Sequence, residues 1–414
     1  MMVSFRIACL CALVAGCSVV RGLADDTNDA AASITPSAAS GVELSDAGRA
    51  AAEAAAAKNP TAPTPIPAPA PTAPILPPTT PLAPAILEPT APVLPTTFAP
   101  DARRFLFASS LPEFSASAYA KAVPSLIAAF EEKTQRTLKP GAKHKVGLKI
   151  YTASGAGIAT PKNLTRAVIA ELEKRGFARA DIFLVDLHEK RLRESGYLPK
   201  LRTENETFDG CPVLALDSGK YYNVRWFYEN PLPSREIFAR QGDYTAALAL
   251  QDKQSLLPVP LFLQVDFWIN LPVALDSPAL GVSGALGNAT IWNISNQRRF
   301  LDNPGNAQKA AVEIAAIPEL HDTLVFHLLS LERYQYVGGP VFDANYCITE
   351  KGLWLSANPM ILDFLMLQRM NAARAKKGFP LIEPEPIMFI QGNTSPILLG
   401  SCRPSELELV RVTP

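Results

Sequence analysis

Four side chains have the chemistry for acid–base catalysis or for holding an anion. Lys149 lies within an apolar run, and Asp186 ends the next such run. A lysine in a buried strand must find an acidic partner or an anionic ligand, because an unpaired buried charge is costly. A carboxylate at the end of a strand is in turn placed to move a proton. The candidate catalytic residues are Lys149, Asp186, Asp276 and Asp363.

The same residues have a purely structural explanation. Lys149 and Asp186 on adjacent parallel strands can pair with each other, which satisfies both charges without a ligand. An aspartate at the end of a strand also caps the helix that follows it. Both interpretations stay open on the sequence alone.

The elements that must position these side chains form the most regular part of the chain. Strands are predicted over Val146–Tyr151 and Asp181–Asp186, with a helix over Pro161–Arg175 between them. Thr160 and Pro161 open this helix and Gly176 ends it. The pattern predicts a right-handed βαβ unit with a parallel pair of strands.

A glycine-rich turn, Ala153–Gly157, follows the first strand of this unit. Free N–H groups and the helix dipole hold anions at such a place. The turn lacks the third glycine of the dinucleotide fingerprint, and no P-loop lysine follows it, so glycines that only supply positive φ are the alternative. The candidate ligand-binding residues are Ser154, Gly155, Gly157, Asn270, Asn288 and Gly339.

The rest of the folded part is predicted from shorter patterns. Strands are predicted over Arg104–Ser109, Pro212–Leu216, Lys220–Tyr228 and Gln264–Pro272, and a helix over Ser117–Thr134. The aromatic strand suits either a core or a platform that stacks a ligand. The small residues of Gly281–Asn296 permit close approach of a ligand or form a tightly packed helix or turn. Together these elements predict an α/β fold with a mainly parallel sheet built from βαβ units, in one arrangement as two lobes around a cleft.

Cysteine and histidine spacing indicates no metal site and no cofactor. Outside the first 24 residues the cysteines are Cys211, Cys347 and Cys402, without a Cys-x-x-Cys pair. They allow one disulfide at most, and a buried structural thiol is the simpler interpretation of each. Of the four histidines, His321 and His327 are six residues apart, which does not place both on one helical face.

The N-terminus is typical of an export signal, Met1–Ala24. Arg6 is followed by the apolar run Ile7–Gly16, which is too short for a permanent membrane helix. Two cleavage sites compete. Small residues before Cys17 are typical of a bacterial lipobox, with lipidation of that cysteine, whereas Ala24 ends an ordinary signal-peptidase site.

Residues 25–100 form a predicted disordered Ala/Pro-rich linker, with one short helix over Val42–Lys58. Proline recurs at nearly every second or third position from Pro60 to Pro100, which favours an extended polyproline II rod. A spacer between a membrane anchor and the folded domain, residues 101–414, is its expected role. A ligand for proline-binding modules is the alternative.

Charge excludes nucleic acid as the expected partner. The 414 residues include 39 Lys and Arg against 39 Asp and Glu, which leaves no net field to attract a polyanion. Motifs of serine hydrolases, zinc proteases and P-loop NTPases are missing from the sequence.

The ordered motifs resemble a prokaryotic family known as domain of unknown function 362. The resemblance spans roughly Lys145–Leu381 and rests on short motifs in order: Lys145–Tyr151, Thr160-Pro161, Ile182–Asp186, Ile269–Pro272, Gly287-Asn288, Val337–Pro340 and Asn358–Asp363. The family residues that it implies in this chain are Lys149, Asp186, Asn270, Pro272, Asn288, Gly339, Pro340 and Asp363.

The chain also departs from the family pattern. Leu275 and Ser277 stand where the family typically has Lys and His, and Gly287 stands where it has Lys. A later family histidine is replaced near Arg299 and Phe300, and the ferredoxin-like cysteine runs of many relatives are missing. The resemblance therefore implies a member that has lost the family's basic groups or moved their chemistry elsewhere.

Two hypotheses follow. The first is an exported, lipid-anchored protein on the periplasmic face of the bacterial envelope, or a soluble periplasmic one, that binds a small molecule or acts as a scaffold without catalysis. The second is an enzyme acting on a small anionic or carbonyl compound. In that enzyme Lys149 and the turn Ser154–Gly157 hold the anion, and Asp186 or Asp276 moves a proton.

Overall fold

The computed structural model describes residues 100–204, 206–232, 253–395 and 397–414. The predicted export signal with Cys17, the helix Val42–Lys58 and the proline-rich linker up to residue 99 lie outside the described residues. Among the helices described, none combines the length and apolar character needed to cross a membrane.

Fifteen strands are described. They are β1 Phe105–Ser110, β2 Val146–Lys149, β3 Ile182–Asp186, β4 Thr207–Phe208, β5 Cys211–Ala215, β6 Tyr222–Glu229, β7 Gln254–Pro258, β8 Phe267–Asn270, β9 Leu275–Ser277, β10 Gly281–Ser283, β11 Leu324–Ser330, β12 Tyr334–Gln335, β13 Cys347–Ile348, β14 Gly352–Ser356 and β15 Glu408–Val412.

The described α-helices connect and cover these strands. They are α1 Ala116–Thr134, α2 Lys162–Lys174, α3 Glu189–Glu194, α4 Pro260–Leu263, α5 Ala285–Ala289, α6 Arg298–Leu301, α7 Pro304–Ala315, α8 Pro318–Thr323, α9 Pro359–Lys377 and α10 Met388–Gln391.

A nine-stranded sheet in the order β15-β1-β14-β11-β8-β2-β3-β5-β4 runs through the domain. The central strands β11, β8, β2, β3 and β5 are parallel to their neighbours within this group, while β14 runs antiparallel to both β1 and β11. The predicted α/β fold with a mainly parallel sheet is confirmed. The described residues also form a four-stranded sheet in the order β10-β9-β12-β13 and a two-stranded sheet of β6 and β7.

The predicted βαβ unit is present as β2, α2 and β3. Its bounds differ from the prediction by one or two residues, and Gly176 follows α2 with φ +99°. Thr160 does not cap α2, whose N-cap is Pro161. The Thr160 hydroxyl instead accepts the N–H of Tyr151 and donates to the carbonyl of Leu271, so it joins the ends of β2 and β8.

The chain reverses its direction of travel across the sheet between β2 and β8. From β2 it builds outward to β3 and β5, and later it returns to build β8 and β11 on the other side. Such a switch point leaves a crevice at the carboxyl ends of the two strands in open α/β sheets. Here α5 covers that place, because its residues bond to the last residues of both β2 and β8.

Alternate residues of the central strands pack on opposite faces of the sheet, as strand geometry requires. On β8, Phe267 and Ile269 join a buried cluster with α1 and α2, whereas Trp268 joins the cluster that contains α5, α7 and α9. Asn270 follows Trp268 by two residues and therefore lies on the face covered by α5.

The structure describes two segments for which the sequence left alternatives open, the aromatic strand and Gly281–Asn296. The aromatic strand pairs with β7 in a separate antiparallel ribbon, where Trp226 packs edge-on against Phe262. Gly281–Asn296 forms β10, the five-residue helix α5 and a 3-10 turn at Ile291–Asn293, all of them buried. This result matches the tightly packed alternative for that segment.

Candidate functional site

Three polar side chains lie in one row at the carboxyl ends of adjacent parallel strands. In the sheet register Lys149 of β2 is opposite Asn270 of β8, and Asn270 is opposite His327 of β11. All three are at most 1% exposed. The row therefore lies at the carboxyl edge of the parallel strands, where open α/β sheets bind ligands, but these side chains are buried beneath other residues of the protein.

The Lys149 ammonium group makes as many hydrogen bonds as it has donors. Its Nζ atom donates to the Ile150 carbonyl at 2.7 Å, to Asp186 Oδ1 at 2.6 Å and to Asn288 Oδ1 at 2.9 Å. A lysine has three N–H donors and no acceptor, so none is left for an anion. Burial lowers the pKa of Lys149, and the Asp186 carboxylate opposes that shift.

Asp186 is equally engaged. Its second oxygen, Oδ2, accepts the backbone N–H of Thr152 at 2.7 Å and the hydroxyl of the same residue at 2.6 Å. Asp186 does not cap α3, whose N-cap is His188. The structural alternative, a buried pair of Lys149 with Asp186, is thus the one that the molecule adopts.

The lysine also fixes the direction of a chain of hydrogen bonds. Because Asn288 Oδ1 must accept from Lys149, its amide nitrogen points to Asn270 Oδ1 at 2.7 Å. The amide nitrogen of Asn270 then donates to the Ala285 carbonyl and faces His327 Nδ1, each at 2.8 Å. His327 Nδ1 must therefore accept, which puts the ring proton on Nε2.

This Nε2–H group is a buried donor with no hydrogen-bond partner in the described part of the chain. The His327 side chain is one of the residues that line a cavity of about 30 Å³. Burial lowers the pKa of His327 to about 3, so the ring is neutral at physiological pH. The cavity has mostly apolar walls, formed by residues that include Trp268, Leu286, Ile314, Leu320 and Leu399.

A second polar group lines the same cavity nearer the surface. The half-buried Arg103 guanidinium donates to the Leu398 carbonyl and to His321 Nε2. His321 Nδ1 in turn bonds Asp322 Oδ1 at 3.0 Å. Desolvation lowers the pKa of both Arg103 and His321, and Asp322 opposes the shift in each.

Asp363 bonds to α5, the helix that covers the row of Lys149, Asn270 and His327, and is not itself part of that row. Its carboxylate accepts the N–H of Ala285 at 2.5 Å and of Leu286 at 3.0 Å, at the start of α5. Burial raises the pKa of Asp363 to about 7, against the lowering effect of these two donors. Its role is to position α5, whose Asn288 and Ala285 contact the row.

Asp276 and Gly339 form a separate group on the four-stranded sheet. The Asp276 carboxylate accepts the N–H groups of Gly338 at 3.0 Å and Gly339 at 2.8 Å, and Arg374 Nη2 at 2.9 Å. A side chain on Gly339 would overlap the Asp276 carbonyl. These contacts place Asp276 with Arg374, and none of its hydrogen bonds reaches Lys149 or Asp186.

The glycine-rich turn is tied to its own neighbours. The Ser154 hydroxyl bonds the Tyr151 hydroxyl at 2.7 Å, and Gly155 has φ +80°. A side chain on Gly157 would overlap the ring of Phe342. The turn therefore needs its glycines for backbone conformation and for close packing.

The structure thus brings together Lys149, Asp186, Asn270 and Asn288, and it adds His327 and Arg103, which sequence reasoning missed. In the sequence His327 is one of four scattered histidines and has no motif around it. The sequence signal for a buried His327 is its position within Leu324–Ser330, in which all residues except His327 and Ser330 are apolar. A group of three or more His, Cys, Asp or Glu side chains that could hold a metal is missing among the residues that the structure describes.

No family model and no curated protein matches this chain. A crystal structure of a protein from Thermotoga maritima, from the Northeast Structural Genomics Consortium, has 11% sequence identity to it and a TM-score of 0.30. The match covers 64% of this chain and 59% of that one, which is less than two thirds of the length of the solved protein.

Proposed function

We propose that this protein is an exported, lipid-anchored binding protein of the bacterial envelope, and that it holds a small molecule in the cavity beside His327 without transforming it. The observation that carries the proposal is that His327, whose Nε2–H is a buried donor with no hydrogen-bond partner among the described residues, lines a cavity. An unsatisfied buried donor costs about 1–3 kcal/mol, and a ligand that accepts from it removes that cost.

The hydrogen bonds of the row favour binding over catalysis. Lys149 and Asp186, the groups expected to hold an anion and move a proton, are saturated by each other and by Thr152 and Asn288. The enzyme hypothesis needs at least one of them to release a partner and meet a substrate. Both are at most 1% exposed, so that step requires the residues that bury them to move.

We further propose that the chain is a divergent member of the domain of unknown function 362 family. Four of the residues that the resemblance carries over, Lys149, Asp186, Asn270 and Asn288, contact one another in a single network. At Gly287, where the family has Lys, a Cβ atom would lie 3.0 Å from the Leu280 side chain, so a larger residue there would need that side chain to shift.

The binding role is tested by a thermal-shift screen of the full chain against alcohols, amides and carboxylates of about two or three non-hydrogen atoms, the size that a cavity of about 30 Å³ holds. A ligand at a hundred times its Kd adds about 2.7 kcal/mol to the free energy of unfolding. Ala315→Leu, which places a larger side chain in the cavity wall, should abolish the shift. The matched control is Ala373→Leu, also at a half-buried helical alanine but away from the cavity, and it should keep the shift.

The proposal fails if no compound shifts the melting temperature, or if the shift survives in Ala315→Leu. Turnover of a hit compound that is lost in Asp186→Asn would instead favour the enzyme.

The lipid anchor is tested separately in a bacterial host. Cys17→Ala should move the protein from the membrane fraction to the soluble fraction, while Cys11→Ala, in the same apolar run, should not. A mature N-terminus at Asp25, found by mass spectrometry, would show ordinary signal-peptidase cleavage and overturn the anchor.

A further inference from the structure

An apolar patch on the surface of the folded domain lies next to the place where the linker joins that domain. The patch consists of Leu381, Ile387, Ile390 and Leu398, each at least 40% exposed. They are four of the ten large apolar side chains that are exposed in the described part of the chain. Exposed apolar side chains that cluster in this way are typical of a surface that another chain segment covers.

The four side chains belong to neighbouring parts of the surface. Leu381 and Ile387 line one groove of about 480 Å³. Ile390 follows Ile387 by three residues in a helical turn, so the two share one side of it. Thr394 connects Ile390 with Leu398: its hydroxyl donates to the Ile390 carbonyl at 2.8 Å, and its carbonyl accepts the Leu398 N–H at 3.3 Å.

We propose that this patch is the docking site of the last segment of the linker, Pro89–Ala99, which packs Leu94 and Phe98 against it. The segment lies outside the described residues. The inference goes beyond the proposed function, because it concerns how the folded domain is held by its own linker and not what the domain binds.

The linker joins the folded domain beside Leu398. The Arg103 guanidinium donates to the Leu398 carbonyl. Asn358 Nδ2 donates to the carbonyls of Arg103 at 3.2 Å and Ser401 at 2.8 Å. Ala99 is four residues before Arg103, so it lies within about 15 Å of that residue even in a fully extended chain. A segment tethered so closely meets the patch at an effective concentration on the order of millimolar, and a weak contact is enough to hold it.

The composition of the segment suits an apolar surface. Pro89–Ala99 has no charged residue, and its large apolar side chains are Val93, Leu94 and Phe98. Its burial therefore removes no ion from water. Proline has a fixed φ and no N–H group, so a proline-rich segment loses little freedom on docking and leaves few donors unpaired.

The rim of the patch is acidic. Glu383 and Glu385 line the groove with Leu381, and neither has a hydrogen bond or an ion pair within the described ranges, whereas Asp276 is paired with Arg374. This excess of negative charge opposes an acidic partner and does not oppose an uncharged segment. A separate basic peptide is the other occupant that suits the rim, but it lacks the advantage of the tether.

Photo-cross-linking of the full chain tests the contact. Benzoylphenylalanine in place of Leu94 should cross-link within the same chain to the tryptic peptide Gly378–Arg411, and fragmentation should place the link between residues 381 and 398. Ile390→Glu should remove this link, because it puts a charge into the patch. Val224→Glu, at a similarly exposed apolar residue on β6, is the matched control and should keep it.

The melting temperature of the full chain gives a second readout. Ile390→Glu and Leu94→Ser should each lower it by about 2 °C, since both open the same contact. The double variant should lower it no further than either change alone, because residues in contact are not additive. Val224→Glu should again have no effect.

Three results would overturn the docking. The first is a set of links spread evenly over the surface, and the second is a loss of melting temperature that is additive in the double variant. The third is a link that joins two copies of the chain, which would show that the patch is covered by a second molecule. A patch that the linker leaves open would then be a site for a separate basic peptide.

Discussion

Lys149 determines which nitrogen of His327 carries the proton, although a whole strand lies between them. The two residues are on β2 and β11, and β8 separates these strands. Lys149 has only donors, so Asn288 and then Asn270 must each accept on one side and donate on the other. The charge of one buried lysine is thus converted into a fixed donor at the wall of a cavity.

Lys149→Met should lower the free energy of unfolding by about 3–5 kcal/mol, because Asp186 becomes an unpaired buried carboxylate. Urea unfolding measures the change. Lys133→Met is the matched control: its partner Glu408 is half exposed, and the free energy of unfolding should change by no more than the error of the measurement. The double change Lys149→Met with Asp186→Leu should recover part of the loss. A stable Lys149→Met protein that has lost ligand binding would show a direct role for the lysine.

His327 should stay neutral and protonated at Nε2 from pH 5 to 8, as observed by ¹⁵N NMR of the imidazole. Its pKa is lowered to about 3 by burial, below the unfolded value near 6.5. The folded state therefore binds fewer protons between these values. The contribution of neutral His327 to the free energy of unfolding is fully present above pH 6.5. It is lost as the pH falls toward 3, by about 3 kcal/mol between pH 6.5 and 4.

The matched variant for this effect is His327→Gln, which lacks the titrating ring and should show a flatter loss of stability over the same range. Asn270→Asp should raise the pKa of His327, because a carboxylate then faces Nδ1 in place of an amide donor. An unchanged pKa in that variant would contradict the directed chain of hydrogen bonds.

Asp363 should affect the pH dependence of stability in the opposite direction to His327: its contribution to the free energy of unfolding should fall as the pH rises. Its pKa is raised to about 7 in the folded protein, above the unfolded value near 3.9, so the folded state binds more protons between them. Its contribution is present at low pH and is lost as pH rises toward 7, by about 2 kcal/mol from pH 5 to 7. The difference in free energy of unfolding between the native protein and Asp363→Asn should shrink over that range. A constant difference would mean that Asp363 is ionised throughout.

Gly157→Ala should destabilise the protein by about 1–3 kcal/mol, because the added methyl group overlaps the Phe342 ring. Phe342→Ala in the same chain should restore part of the loss. Gly305→Ala, at a helical glycine with open space around it, should be neutral or slightly stabilising. If Gly157→Ala leaves stability unchanged but removes binding of an anion, the turn is a ligand site after all.

The βαβ unit around Lys149 could be predicted from sequence because its signals are local. Alternating burial, a periodic helix and Gly176 at its end depend on neighbours within a few residues. For the same reason the predicted bounds of β3 and α2 differ from the observed ones by no more than one residue at either end. The pairing of Lys149 with Asp186 was also foreseen as one alternative, since adjacent parallel strands bring both side chains to the same edge.

The sequence by itself therefore determined the α/β class, the parallel strands and the need of Lys149 for a partner. Only the tertiary structure decided which partners it has, because α5 crosses over the sheet and brings Asn288 to the lysine from 139 residues away. Asn270 meets His327 because β8 and β11 are neighbours in the nine-stranded sheet, whereas Asp276 lies on the four-stranded sheet and pairs with Arg374. Whether a donor has an acceptor depends on atoms that meet only after folding. The order of residues therefore does not show that all three donors of Lys149 are used or that the Nε2–H of His327 has no partner among the described residues.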